Sequence, residues 1–112
     1  MKQLEDILLE IEKELHLLDL WDKKQPPLHD LQSLMPFCYD TLRFPQWLQW
    51  VFLPRGQQMI KTREGIPADS DIHTIAEYYF TEAGIDAKKL LICIKLFDDL
   101  ILQWNNPEGK PH

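Results

Sequence analysis

Apolar residues recur in steps of three and four along the first part of the chain. At about 100° per residue these positions project onto one side of a helix. The spacing predicts an amphipathic helix over about residues 2–21. Its inner stripe consists of Leu4, Leu8, Ile11, Leu15 and Leu18.

A second group of leucines falls away from this stripe. Leu9 and Leu20 project to the opposite side of the same helix, with Leu17 nearby. Large apolar side chains on an outer face are expected to be buried against something, either the following segment or a second copy of the protein. These three leucines therefore form a possible interface.

Residues 22–37 connect the first two predicted helices. Pro26 and Pro27 stop the first helix and favour an extended chain. Leu28, Leu31 and Leu34 then recur at every third position, a spacing typical of a short helical turn or of a strap. Because long structureless connections are uncommon in small domains, we expect contacts with the helices to hold this connection in place.

The second predicted helix runs from about Pro45 to Lys61 and contains the stretch WLQWVFLPR. Pro45 suits a first helical turn, and Pro54 removes one backbone hydrogen bond, which predicts a kink. The helix is apolar around most of its circumference, so we expect it to be central and most of the stretch to be core. Gln49 and Gly56 mark its least apolar strip.

Two further helices are predicted over about residues 71–83 and 87–104. Asp69 or Ser70 can cap the first, Gly84 ends it, and Asp86 can cap the second. Their predicted inner faces are Ile72, Ile75, Ala76, Tyr79 and Ala83, and Leu90, Ile94, Phe97, Ile101 and Trp104. No segment alternates convincingly at period two, so the sequence predicts an all-α fold, a four-helix bundle with a single domain over residues 1–105 and a polar tail at 106–112.

Charge and composition narrow the function. The 112 residues carry a formal net charge of −6, which argues against unaided binding to nucleic acid or to an anionic membrane. The longest apolar runs are too short to span a bilayer, and acidic residues interrupt any N-terminal signal sequence. Two isolated cysteines, Cys38 and Cys93, favour a reduced, cytoplasmic environment.

Arg55 is the residue that fits a core interpretation least. Its direction lies inside the apolar arc of the second helix, where a guanidinium requires a partner, and Asp98 or Asp40 could supply a carboxylate. Two alternatives stay open: the side chain can extend to solvent along its methylenes, or it can line a pocket and bind an anionic group. The candidate binding residues are Arg55, Asp40, Trp47, Trp50 and Asp98.

Catalytic and metal-binding patterns are weak. His73 and Glu77 lie four residues apart on one helix, but a metal site needs at least three protein ligands and no second pair follows. No glycine-rich phosphate loop or nucleophile signature occurs. Asp40 is interpreted as a cap or turn residue whose carboxylate serves the amides of Leu42 and Arg43. The sequence thus indicates no enzyme, no cofactor and no metal.

The segment PFCYDTLRFPQWLQWVFLPRGQQMI, residues 36–60, resembles the central motif of the YqcC-like family of small bacterial proteins. The segment IPADSDIHTIAEYYFTEAG resembles the next segment of that family. The resemblance implies a small helical bundle of unestablished function, whose members are sometimes labelled tRNA pseudouridine synthase C. It supplies no catalytic residues, and Gly56 stands where the family pattern leads us to expect methionine.

Three functions remain open. The first is a non-enzymatic interaction module that binds another protein or itself. Trp21, Tyr78 and Trp104 are its candidate exposed anchors, although the edge of the core is the favoured place for each of them. The second is an accessory protein to transfer-RNA modification that contacts the enzyme rather than the RNA. The third is a binder of a small anionic ligand that uses Arg55.

Overall fold

The structure is a computed structural model, and it describes residues 2–65, 67 and 70–104. The described residues are mostly helical and contain no strand, which confirms the all-α prediction. The α-helices are α1 (Lys2–Leu17), α2 (Leu28–Leu31), α3 (Phe44–Trp47), α4 (Leu53–Thr62), α5 (Ile72–Ala83) and α6 (Lys88–Trp104). A 3-10 turn covers Pro36–Cys38, and a π-helical segment, Leu48–Phe52, joins α3 to α4.

Helix α1 ends four residues earlier than predicted because Asp19 adopts a left-handed conformation, with φ of 59°. The amide of Asp19 donates to the carbonyl of His16, and the amide of Leu20 donates to that of Leu15, the pattern of a Schellman motif. This turn brings Leu20 back against the main core. Leu20 is therefore not part of an outer leucine face.

The kink predicted at Pro54 takes the form of a π-helical segment. Proline has no amide hydrogen, and its ring collides with the carbonyl four residues earlier. Just before Pro54 the helix widens, so that the amide of Leu53 donates to the carbonyl of Leu48, five residues back. The wider turn accommodates the proline without ending the helix.

The predicted inner face of α5 is partly wrong. Ile72, Ala76 and Phe80 are buried, whereas Ile75 is exposed. Ala83 is exposed as well. The helix ends at Gly84 in a left-handed conformation, as predicted.

The inner face predicted for α6 is buried at Leu90, Ile94, Phe97 and Ile101. Trp104 is half-buried and packs against the same core. At the start of this helix the carboxylate of Asp86 accepts the amide of Lys88 at 3.4 Å.

The connection after α1 is held mainly by hydrogen bonds rather than by the leucines that suggested a strap. Leu28 and Leu34 are exposed, and only Leu31 packs against a small cluster formed by Cys38, Leu42 and Val51. The buried side chain of Gln49 accepts the amide of Asp22 at 2.7 Å and donates to its carbonyl at 2.8 Å. The sequence puts Gln49 on the least apolar strip of the second predicted helix. In the structure it is buried, because its side chain binds the backbone of the connection at Asp22.

One main hydrophobic core joins the long helices. Helix α1 lies between α6 and α4, and α5 packs on α6. The core draws buried side chains from α1, α3, the π-helical segment, α4, α5 and α6. The second predicted helix is divided into α3, the π-helical segment and α4, so the four-helix description is too coarse for the described residues. None of the described helices is long and apolar enough to cross a membrane.

Candidate functional site

A cavity of about 500 Å³ opens between α4, with the π-helical segment before it, and the start of α5, and we call it the Arg55 cavity. Trp47 and Phe52 come from the helical stretch that begins at Pro45, and Phe97 comes from α6. Their rings pack in sequence, with centroid distances of 5.6 Å between Trp47 and Phe52 and 4.8 Å between Phe52 and Phe97. Arg55 lies at this aromatic wall and is exposed.

A second cavity of about 610 Å³, which we call the Tyr78 cavity, lies between the chain around the 3-10 turn and α5. Its walls include Phe44, Ile75 and the exposed rings of Tyr39 and Tyr78. Arg43 and Glu82 are the charged residues among its described walls. This cavity is therefore lined mainly by aromatic and aliphatic side chains.

Phe37 forms a wall of both cavities. Its ring meets that of Trp47 edge-on at 4.8 Å and lies 6.3 Å from that of Phe44. Phe37 and Cys38 both have left-handed backbones, with φ of 57° and 51°. This conformation costs about 1–2 kcal/mol for each residue other than glycine, so the surrounding packing must hold the turn in place.

The hydrogen bonds after the strained turn show how it is held. The carbonyl of Cys38 accepts the amides of Thr41 and Leu42 at 3.0 and 2.8 Å. The hydroxyl of Thr41 donates to the carbonyl of Asp30 at 2.7 Å. Backbone and side-chain bonds thus fix Phe37 between the two cavities, and we call the surface around it, with both cavities, the Phe37 face.

Each cavity of the Phe37 face has one arginine and one carboxylate among its described walls, Arg55 with Asp71 and Arg43 with Glu82. Among the described residues, the ion pairs with a nitrogen–oxygen distance of 4.0 Å or less involve neither Arg55 nor Arg43. Asp71 lines the Arg55 cavity, but its carboxylate accepts the hydroxyl of Thr74 at 2.8 Å. Arg55 therefore presents a guanidinium to solvent beside apolar rings.

Asp98 is buried, and it does not pair with Arg55 as the sequence led us to expect. Its carboxylate accepts the hydroxyl of Ser70 at 2.6 Å and the amides of Ile72 and His73 at 3.1 and 2.9 Å. These amides belong to the first turn of α5, which has no partner for them within the helix. The predicted local cap from Ser70 is thus replaced by a carboxylate from α6, and Asp69 lies outside the described residues.

Asp40 also differs from its predicted role. Its carboxylate accepts the hydroxyl of Ser33 at 2.5 Å. The amide of Leu42 donates to the carbonyl of Cys38, and the amide of Arg43 donates to the side chain of Gln46. Asp40 therefore ties the connection to the 3-10 turn instead of capping the following helix.

Reactive groups elsewhere do not assemble into a recognisable centre. In the part of the chain that the structure describes, no three His, Cys, Asp or Glu side chains are placed to hold a metal ion. Burial raises the pKa of the Cys93 thiol, and the negative charges of Glu10 and Glu14 raise it further, against an opposing effect of Lys89. A raised pKa keeps the thiol protonated and therefore a poor nucleophile.

Comparison of the sequence with models of protein families identifies the family of this chain. Residues 3–100 match the family model DUF446, which is described as tRNA pseudouridine synthase C. The chain belongs to the DUF446 family. The match includes α1 from its second residue, the Phe37 face, and α6 as far as Leu100. No solved structure is similar to the chain.

The curated relatives are short matches. An uncharacterized protein of Haemophilus influenzae is 38% identical over 50 residues, which cover 45% of this chain and 47% of that protein. The uncharacterized protein YqcC of Escherichia coli is 32% identical over 59 residues, covering 53% of this chain and 51% of YqcC. The chain thus spans about half the length of these two relatives.

A third relative is a protein of Pectobacterium carotovorum subsp. carotovorum that is named tRNA pseudouridine synthase C. It is 34% identical over 65 residues, which cover 58% of this chain but only 17% of that protein. Most of the Pectobacterium protein therefore lies outside the similarity to this DUF446 chain.

The Phe37 face brings together two of the five predicted binding residues, Trp47 and Arg55. Trp50 is half-buried, is absent from the described walls of both cavities, and has a buried indole nitrogen with no acceptor among the described residues. Of the predicted leucine interface, Leu9 and Leu17 are exposed, by 63% and 67%. Leu20 is partly buried and packs against the core.

The three predicted aromatic anchors also separate. Tyr78 is exposed by 67% and lines the Tyr78 cavity. Trp21 and Trp104 are half-buried against the core, and the ring of Trp21 stacks on that of His16 at 4.5 Å. Sequence reasoning missed Phe37, which lies in the connection and follows no helical period. The dipeptide Pro36–Phe37 beside a predicted strap was the available signal, but nothing in it indicates a left-handed backbone.

Proposed function

We propose that this DUF446 protein is a non-enzymatic interaction module of the bacterial cytoplasm that binds a partner protein on the Phe37 face. The observation that carries the proposal is a pair of exposed tyrosines beside the Tyr78 cavity, which Phe37 separates from the Arg55 cavity. Tyr39 is 64% exposed and Tyr78 is 67% exposed, and both line the Tyr78 cavity. Tyrosine and tryptophan at the edge of apolar pockets are typical of the residues that dominate protein interfaces.

The charges support binding rather than catalysis. Asp98 and Asp40 are both engaged in hydrogen bonds that organise the backbone or the connection. The thiol of Cys93 is held protonated by its raised pKa. A partner that covers the Phe37 face would bury apolar surface and give Arg55 an acceptor, and both changes favour association.

The test compares two surfaces of the same protein. A tagged chain is used to capture partners from a native cytoplasmic extract, with and without ribonuclease treatment. The same capture is repeated with the double variant Tyr39→Ser/Tyr78→Ser and with the matched control Leu9→Ser/Leu17→Ser on α1. All four replaced side chains are exposed, so each variant should keep its fold, which far-ultraviolet circular dichroism checks.

We expect a stoichiometric protein partner that survives ribonuclease and is lost only from the Tyr39→Ser/Tyr78→Ser variant. Loss confined to the Leu9→Ser/Leu17→Ser variant would move the interface to α1. Retention by both variants, or recovery of the chain alone, would contradict the proposed binding surface.

A second candidate is an accessory role in transfer-RNA modification, and the Pectobacterium similarity favours it. Because only 17% of that protein is similar to this chain, the activity in its name can belong to the remainder. The accessory role predicts that the captured partner is a pseudouridine synthase and that the isolated chain forms no pseudouridine in unmodified transfer RNA. Pseudouridine formation by the isolated chain would overturn the non-enzymatic proposal.

A further inference from the structure

We propose that residues 33–40, which we call the 33–40 loop, form a lid whose opening withdraws the Phe37 ring and joins the Arg55 cavity to the Tyr78 cavity. The open form offers one continuous groove in place of two separate cavities. Such a movement belongs to the chain itself, and it goes beyond the proposed function because it requires no occupant of either cavity.

The place of the Phe37 ring makes it the divider between the cavities. Among the described residues, Phe37 is the one residue that lines both of them. Its half-buried ring contacts Trp47, a wall of the Arg55 cavity, and Phe44, a wall of the Tyr78 cavity. Displacement of this single side chain therefore joins the two spaces.

The backbone that holds the ring is strained at two consecutive positions. Phe37 and Cys38 have φ of 57° and 51°, in the left-handed region that is unfavourable for residues other than glycine. The direction of a side chain follows from φ and ψ at its own Cα atom, so a return of Phe37 to a common conformation turns its ring out of its present place. Relief of the strain and withdrawal of the ring are thus one movement.

The rest of the 33–40 loop is weakly attached to the helices. Leu34 and Met35 are exposed by 99% and 41%, and Cys38 is the fully buried side chain of the loop. The hydroxyl of Ser33 donates to the carboxylate of Asp40, so the two ends of the loop are joined to each other. A segment with few buried contacts and joined ends can change its conformation without displacing the helices on either side.

Thr41 is the latch of the closed form. Its hydroxyl donates to the carbonyl of Asp30 at 2.7 Å and lies 3.3 Å from the carbonyl of Cys38. These contacts tie the end of the strained turn to the connection near α2. Loss of the hydroxyl should therefore favour the open form while leaving the Phe37 ring intact.

The buried thiol of Cys38 reports the opening. Its rate of labelling by iodoacetamide is measured by mass spectrometry on the full chain carrying Cys93→Ser, which leaves Cys38 as the remaining cysteine. In this background Thr41→Val is compared with the control Thr62→Val, whose hydroxyl donates to a carbonyl inside α4. Far-ultraviolet circular dichroism verifies that each variant is folded.

We expect Thr41→Val to raise the labelling rate about fivefold, the usual effect of losing one hydrogen bond, and Thr62→Val to change it less than about twofold. A second pair of variants isolates the strain, because Phe37→Gly and Phe37→Ala both lack the ring. Phe37→Gly should label about fivefold more slowly than Phe37→Ala, since glycine adopts a left-handed backbone without strain.

Withdrawal of the Phe37 ring is followed separately at Trp47, whose indole ring it contacts. Relaxation-dispersion NMR of the Trp47 indole N–H should detect a second state, more populated in Thr41→Val than in the Cys93→Ser parent.

The contrary outcomes are distinct. Equal labelling of the parent, Thr41→Val and Thr62→Val would overturn the lid, as would labelling that accelerates in dilute urea with the slope of global unfolding. Faster labelling of Phe37→Gly than of Phe37→Ala would overturn the role of the strained turn. Labelling of Thr41→Val without exchange at Trp47 would overturn the joining of the cavities.

Discussion

Asp98 shows how one residue can have a role that its sequence position does not reveal. In the sequence it stands at the edge of an apolar helical face, where a buried acid requires positive or donating partners. The sequence pattern predicted Arg55 as its cationic partner. The structure satisfies Asp98 with one hydroxyl and two backbone amides instead, so a residue of α6 supplies the N-terminal cap of α5.

Removal of this carboxylate should destabilise the protein strongly. We predict that Asp98→Ala lowers the free energy of unfolding by about 2–4 kcal/mol, because buried amide donors of α5 lose their acceptor. The matched control is Asp99→Ala, whose exposed carboxylate pairs with Lys95 and should contribute less than about 1 kcal/mol. Urea denaturation measures both, and equal effects of the two substitutions would contradict the capping role.

At the scale of the elements, the contact between α1 and α4 depends on Gly56. In the sequence this glycine stands where the family pattern leads us to expect methionine. In the structure Gly56 is buried, and a Cβ atom at this position would lie 2.9 Å from Cδ1 of Leu8. The absence of a side chain therefore allows the two helices to approach each other closely.

The two residues should be energetically coupled. We predict that Gly56→Ala alone destabilises the protein by about 1 kcal/mol, because overpacking exceeds the helix-propensity gain. In a Leu8→Ala background the same substitution should stabilise by about 1 kcal/mol, since the collision is removed. Gln58→Ala, on the exposed side of α4, is the control and should show no coupling; a similar absence of coupling at Gly56 would argue against the close contact.

At the scale of the whole molecule, the net charge of −6 governs which partners can approach. The cationic Arg55 and Arg43 sit at the Phe37 face rather than forming a broad basic surface. Nucleic-acid binding draws most of its affinity from many phosphate contacts, which two arginines do not provide. A protein partner fits this charge distribution better.

This charge distribution gives a direct expectation for RNA. We predict no binding of transfer RNA tighter than about 0.1 mM at physiological salt, which is the weak end of non-specific binding by basic proteins. Fluorescence anisotropy of labelled transfer RNA measures it, with a basic RNA-binding protein as the positive control. Micromolar binding that falls steeply with salt would contradict the charge argument and favour direct contact with RNA.

Helical periodicity was the most reliable guide to the fold. The positions of α1 and α6 that recur every three or four residues are the ones that the core buries, from Leu4 to Leu15 and from Leu90 to Ile101. Periodicity was less informative for α5, where Phe80 is buried and Ile75 borders a cavity, because apolar residues occur on several sides of that helix. It could not predict the buried Glu14, which interrupts the apolar pattern of α1.

The sequence by itself determined the helical class of this protein, the places where most helices begin and end, and the presence of Trp47 and Arg55 in one unusual stretch. These features follow from local spacing, from Pro45, whose ring restricts its own backbone, and from Gly84, which readily adopts the left-handed conformation that ends a helix. Only the tertiary structure decided that Asp98 caps α5, that Gly56 admits Leu8, and that Phe37 divides two cavities. Each of these depends on groups far apart in the chain, whose meeting is set by the packing of whole helices rather than by any local preference.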